Sequence, residues 1–268
     1  MAPIATPAII LRTYRYSETS KIVRLATREL GLQSGIAKGA LRPRSRFGAG
    51  LEIFSEGTVE VYYREARELH TVSAFEVADL HRGLALALGR FAGATALAQV
   101  FLKMAPPSPV PAAYEALGRG LAVLERVAPE AVDAAAVRWL WMLLGALGFA
   151  PSLRTCVKDG APVDADLAGN GGRSAGRAIA FSAAEGGVLC PRCAPTHPPS
   201  HPPTRLPGRA YRDLLALNDP GAELPVLDAA HAAAHRRLVA RFARHHLGEP
   251  GPLFALDFWE RHAWAAAS

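Results

Sequence analysis

Lys21-Ile22-Val23-Arg24-Leu25-Ala26-Thr27 and, three residues on, Gly31-Leu32-Gln33-Ser34-Gly35-Ile36-Ala37 decide how this chain begins to fold. The first segment alternates in part, with Ile22 and Arg24 opposed to Val23 and Leu25. The second is a weaker strand with a glycine, Gly35, where a bulge or tight bend fits. Working outward, Ala8 to Tyr14 is rich in β-formers, Leu51 to Phe54 and Thr58 to Tyr63 alternate more cleanly, and Glu68 to Phe75 completes the set. Five or six short strands with glycine-marked turns predict a small closed or partly closed barrel over residues 1–78.

Between these strands lies Ala37-Lys38-Gly39-Ala40-Leu41-Arg42-Pro43-Arg44-Ser45-Arg46-Phe47-Gly48, with four cations, no acid and neither helix nor strand periodicity. Burying such a cluster costs too much for a core role, so it reads as a loop that stays in water and meets an anion. Arginines spaced along a loop suit a phosphate backbone. A solvated basic loop without a ligand is the simpler alternative. Lys38, Arg42, Arg44 and Arg46 are the first candidates for phosphate contacts; Arg12, Arg15, Lys21 and Arg24 are the second, since strand alternation turns some of them away. Phe47 and Tyr14 are candidate stacking residues, Phe47 with the alternative of plugging the barrel rim.

From Asp79 the character changes. Asp79 is placed as an N-cap, and Leu80 to Met104 reads as one long helix, stopped by the prolines that begin at Pro106. Ala112 to Val127 and Glu130 to Phe149 follow, the latter with a Trp139, Trp141, Met142, Leu143, Leu144 stripe that reads as core. Residues 151–208 are irregular and hold all three cysteines and a proline-rich tract. Helices resume at Arg209 to Leu217 and Asp228 to Leu247. The last carries Arg236, Arg237, Arg241 and Arg244 with four histidines, and reads as a solvated face or a second surface for nucleic acid or an acidic partner. The fold class expected is α+β and multidomain: a barrel at 1–78, then a helical domain at 79–268 with a cysteine-containing insertion at about 151–208.

The net charge of +6 is unevenly spread: residues 1–47 carry nine Lys/Arg and two acids, so the remainder is close to neutral. No apolar run reaches the roughly 20 residues of a membrane span. Met1 to Pro7 has no charged or long apolar segment of a secretory signal, and an odd number of cysteines argues against a disulfide framework, so a cytoplasmic location is expected.

Cys190-Pro191-Arg192-Cys193 is a Cys-x-x-Cys knuckle, and Cys156-Val157-Lys158-Asp159 precedes it with aspartate in the second position. Tetrahedral zinc takes four ligands, usually as two such knuckles. Cys156, Asp159, Cys190 and Cys193, with His197 as an alternative fourth ligand, are candidates for one structural Zn2+. A metal-free remnant with small buried thiols and a redox pair at Cys190/Cys193 are the competing readings. The prolines around the site suggest a staple rather than a catalytic centre. No P-loop, GxGxxG after a strand, HExxH or GxSxG is present, and enzymatic activity has no positive support.

Taken together, the chain resembles the RecO family of bacterial DNA repair and recombination proteins. The resemblance is carried by Ile9-Ile10-Leu11-Arg12-Thr13, Tyr16-Ser17-Glu18-Thr19-Ser20-Lys21-Ile22-Val23, Thr27-Arg28-Glu29-Leu30-Gly31, the Lys38-Gly39-Ala40 to Arg46-Phe47-Gly48 element, Leu51-Glu52-Ile53-Phe54, Leu144 to Pro151, Phe181-Ser182, the Cys190–Cys193 knuckle and Tyr211 onward to Gly248. It implies an N-terminal OB-fold, and a helical C-terminal domain with an inserted zinc knuckle. It implies a non-enzymatic, nucleoid-associated mediator that binds single- and double-stranded DNA and anneals complementary strands. It further implies partners: RecR, the acidic tail of single-strand-binding protein and, indirectly, the RecA recombinase. The chain departs from the family pattern at Asp159, where zinc-bearing relatives would have cysteine. Rival readings are an RNA-binding OB module, a protein-docking adaptor and a zinc hydrolase.

Overall fold

The computed structural model describes residues 2–163, 178–196, 198, 201–247 and 251–262. The chain divides into two compact units, Met1–Arg126 and Val127–Ser268.

The first unit is built on five strands: β1 (Ile4–Arg15), β2 (Lys21–Thr27), β3 (Gly31–Ala37), β4 (Glu56–Tyr62) and β5 (Leu69–Asp79). They close in the order β1-β2-β3-β5-β4, antiparallel except for a parallel β3–β5 pair. This is the topology of an OB-fold. Val23 and Leu25 point into the barrel with Ala8, Ile10, Val59, Val72 and Phe75, while Ile22 and Arg24 lie on the opposite face. Gly35 marks no bulge, because β2 and β3 pair without interruption. A Cβ there would stand 2.5 Å from Val72 Cγ2, so the glycine is needed for β3 to approach β5 and close the barrel.

Leu51 to Phe54 is not a strand. It ends a turn-rich segment from Lys38 onward, and Phe54 has a left-handed φ of 70° that no strand tolerates. Its apolar residues alternate because Leu51 plugs the barrel while Phe54 packs edge-on to Phe91 at 5.7 Å.

The expected helix from Leu80 to Met104 is broken. β5 runs to Asp79, a short 3-10 turn spans Arg82–Leu86, and only then does α1 (Leu88–Met104) begin. Asp79 caps no helix; its Oδ1 accepts from the His81 amide at 2.8 Å. α2 (Pro111–Arg126) follows. β5 thus ends at Asp79, and the compact unit that holds the barrel continues through α1 and α2 to Arg126. Ile9 and Leu11 are buried on the barrel's outer side, and Gly118 of α2 lies beside Ile9. The barrel therefore needs its helices as an apolar cover.

The second unit contains α3 (Val132–Ala146), α4 (Gly208–Leu217), α5 (Ala229–His246) and α6 (Phe254–Arg261). A three-stranded antiparallel sheet, β7-β6-β8, is formed by β6 (Ile179–Ser182), β7 (Gly187–Leu189) and β8 (Thr204–Leu206). The region expected to be irregular thus holds a small sheet whose strands are too short to signal themselves. Trp141, Phe181 and Phe242 meet at centroid distances of 5.0 to 6.3 Å and form the aromatic heart of the core. Among the described residues, no helix is long and apolar enough to cross a membrane.

Candidate nucleic-acid interface and cysteine cluster

The basic loop leaves the end of β3 and is held in place at three points. The amide of Leu41 donates to Thr19 O at 2.9 Å, tying the loop to the β1–β2 hairpin. Ala40, Phe47 and Leu51 enter the barrel core. Successive turns bond Arg42 N to Gly39 O and Ser45 N to Arg42 O. Between these anchors Lys38, Arg42, Arg44 and Arg46 are all exposed.

Strand register extends this surface. Arg15, Lys21 and Ala37 are successive partners across β1, β2 and β3, so Arg15, Lys21 and Lys38 lie at one end of the barrel. Arg12 pairs with Arg24, and Tyr14 with Ile22. A bulge between Ile10 and Arg12 turns the end of β1 outward, leaving Arg12 and Tyr14 exposed with the guanidinium 5.6 Å from the ring centroid. Arg24 is half-buried.

The four loop cations form no ion pair among the described residues. Lys21 differs: its Nζ is 2.9 Å from Glu52 Oε1, so part of its charge is already met. Phe47 also departs from its stacking role. It is 3% exposed, inside the barrel core, with Arg46 over its ring at 5.0 Å. A ring that holds the loop down cannot receive a base, and its plug role is the one realised. Tyr14 and Tyr16 are the exposed rings beside the loop. Tyr16 was not singled out by sequence; its only signal was an aromatic in a polar hairpin turn.

Helix α5 is neither a free solvated face nor an open cationic surface. Arg236 is 3% exposed, and its Nη1 lies 2.6 Å from Asp133 Oδ1. Arg244 is paired with Asp257 and Glu260. Arg241 donates to Pro202 O at 3.0 Å, and Arg237 is exposed. His235 is buried with neither ring nitrogen bonded, and burial pushes its pKa down to about 4.

The cysteines converge as their spacing implied. One ligand atom from each of Cys156, Asp159, Cys190 and Cys193 lies within 4.8 Å of the others, a set that could hold a metal ion. The knuckle turn is closed by Cys193 N and Ala194 N donating to Cys190 O. The first half is closed by Gly160 N donating to Cys156 O, with Gly160 at φ 69°. Asp159 fits a ligand position: Oδ1 accepts from Ala161 N at 3.1 Å, leaving Oδ2 at 3.4 Å from Cys190 Sγ. The Cys156 thiol and Ala161 amide hold the Asp159 carboxyl well below the usual carboxylate range. Burial, helped by bonds to Cys190 and Asp159, pushes the Cys193 thiol up to about 12. Burial opposes ionisation of Cys190, but the amides of Cys193 and Arg192 outweigh it and draw the thiol down. Arg192 Nη2 sits 3.0 Å from Asp159 Oδ2 and offsets part of the charge. His197, the alternative ligand, lies outside the described residues.

The comparisons with known proteins agree with this architecture. Residues 1–81 match the family described as recombination protein O, N terminal, and residues 86–252 match recombination protein O, C terminal. The DNA repair protein RecO of Rubrobacter xylanophilus is 33% identical over 247 residues, 92% of each chain. That of Anaeromyxobacter sp. (strain K) is 33% identical over 254 residues, covering 92% of this chain and 93% of the relative. The Symbiobacterium thermophilum protein of the same name is 33% identical over 195 residues, 72% of each. An OB barrel with a cationic loop, a helical second unit built around a knuckle, and matches along nearly the whole chain place this protein in the RecO family of DNA repair proteins.

Proposed function

We propose that this chain is a non-enzymatic recombination mediator that grips single- and double-stranded DNA by its phosphates. The observation that carries this reading is the set of four exposed, acid-free cations on a loop pinned to an OB barrel. Cations without an internal acid can replace the counterions condensed on DNA at little structural cost. Arg12, Arg15 and Arg24 extend the track, Lys21 contributes once Glu52 is displaced, and Tyr14 and Tyr16 offer rings to bases. Contacts to phosphates and to base faces would let one protein hold two strands without reading their sequence, so annealing needs proximity and charge neutralisation only.

Membership of the family supports the partners: RecR, single-strand-binding protein through its acidic tail and, through them, RecA. We assign Cys156, Asp159, Cys190 and Cys193 to one structural Zn2+, which would cross-link two turns of the second unit.

The test is fluorescence anisotropy of the full chain on labelled single-stranded DNA across a salt series. The expected result is a steep linear loss of log affinity with log salt. No binding at low salt overturns the reading in favour of an acidic protein partner, and preference for a matched RNA strand overturns it in favour of RNA.

A further inference from the structure

We propose that Asp79, His81 and Glu125 form a second cation site, distinct from the cysteines and made for a divalent ion that takes nitrogen and oxygen ligands. The site lies in the first unit, where β5 gives way to the 3-10 turn and the end of α2 comes past it. One ligand atom of each residue lies within 4.8 Å of the other two. His81 Nδ1 is 2.8 Å from Glu125 Oε2 and 3.9 Å from Asp79 Oδ2. A cation about 2.1 Å from two ligands separates them by about 3.0 Å at a right angle and about 4.2 Å when they are opposed. Both measured gaps therefore suit a shared ion.

The outer atoms of the three groups are already held, and this turns the inner ones toward one another. Glu125 Oε1 accepts from the Gly83 amide at 2.8 Å. Asp79 Oδ1 accepts from the His81 amide at 2.8 Å. Glu56 Oε2 lies 3.3 Å from His81 Nε2; in the tautomer whose Nε2–H donates to Glu56, the Nδ1 lone pair faces Glu125 and Asp79. Carboxylate-supported histidine is the usual second layer of a metal site. Gly83 is part of the design: a Cβ there would stand 2.6 Å from Glu125 Cγ.

Charge supplies the independent argument. Glu56, Asp79 and Glu125 surround a histidine side chain only 2% exposed, and none of the three pairs with a lysine or arginine among the described residues. Arg90, the cation close at hand, donates to the main-chain carbonyl of Glu125. Even with the ring doubly protonated and Arg90 counted, the three carboxylates leave a negative excess at a buried histidine, and a divalent ion removes it. Carboxylate and imidazole suit Mn2+, whereas the thiolates suit zinc, so one probe separates the two clusters.

The experiment is a Mn2+ titration of the full chain followed by loss of the free-ion EPR signal. One Mn2+ per chain is expected, weakened roughly a hundredfold or more by Glu125→Gln or Asp79→Asn, and left unchanged by Cys190→Ser. In the unaltered protein, bound Mn2+ should broaden the amide NMR signals of His81 and Gly83 and spare that of Cys193, which decides the matter should a variant fold poorly. No uptake at millimolar Mn2+, uptake that survives Glu125→Gln in a folded protein, or broadening centred elsewhere overturns the proposal.

Discussion

The Lys38–Gly48 loop and helix α5 look alike in sequence, since each carries four cations within a short stretch. In the fold they are opposites. The loop's cations meet no acid, while on α5 Arg236 is buried against Asp133 and Arg244 is bracketed by Asp257 and Glu260. A basic cluster is a ligand surface only where the fold supplies no counter-charge. The deciding acids are remote: Asp133 is 103 residues from Arg236. Net charge along the chain found the loop because that half of the imbalance survives folding.

That contrast can be broken most sharply at Arg236. Replacing it with alanine leaves Asp133 without its partner in a nearly closed site, and should cost about 3–5 kcal/mol in urea unfolding while DNA affinity of the folded protein stays the same. Equal loss of DNA affinity in folded protein would mean that α5 carries a binding surface after all.

The pH response of α5 comes next. The folded chain keeps His235 neutral down to about pH 4, whereas the unfolded chain takes up a proton below its ordinary value of 6.5. Stability is full above 6.5 and falls as pH drops from there towards 4, by up to about 3 kcal/mol. Urea midpoints at pH 7.5 and 5 should therefore differ, and the difference should shrink in His235→Leu.

On the loop, Arg42→Ala with Arg44→Ala should weaken single-stranded DNA binding on the order of tenfold and flatten the log-log salt slope by about 1.4. The double variant should leave the urea midpoint in place, because neither side chain forms an ion pair among the described residues. An unchanged slope would move the phosphate site elsewhere. Smaller still, in protein supplied with Zn2+, Cys190→Ser should lower the thermal midpoint by several degrees and leave DNA affinity within twofold. The reverse ranking would put the knuckle on DNA.

Much of this was legible in sequence, and the failures have physical causes. β2 and β3 run from Lys21 to Thr27 and from Gly31 to Ala37 as their patterns indicate, because strands lining a barrel alternate between core and solvent. Leu51 to Phe54 misled because plugging residues bury themselves without strand geometry. The break before α1 was hidden because His81 takes a left-handed turn that helix propensity does not announce. The short β6, β7 and β8 carry too little pattern to be read alone. Cys156, Asp159, Cys190 and Cys193 were found because knuckle spacing is local on each side. Glu125 beside His81 was not, because 44 residues separate them and neither belongs to a motif.

Phe47 and the Leu41–Thr19 bond have a consequence for the heat of association. Because the segment carrying the free cations is also the stopper of the barrel, its backbone is already set before any ligand arrives. Little chain has to be ordered, and the apolar surface that leaves water on binding is limited to the rings of Tyr14 and Tyr16. Calorimetry at several temperatures should therefore give only a small negative heat-capacity change, with most of the driving force residing in released ions.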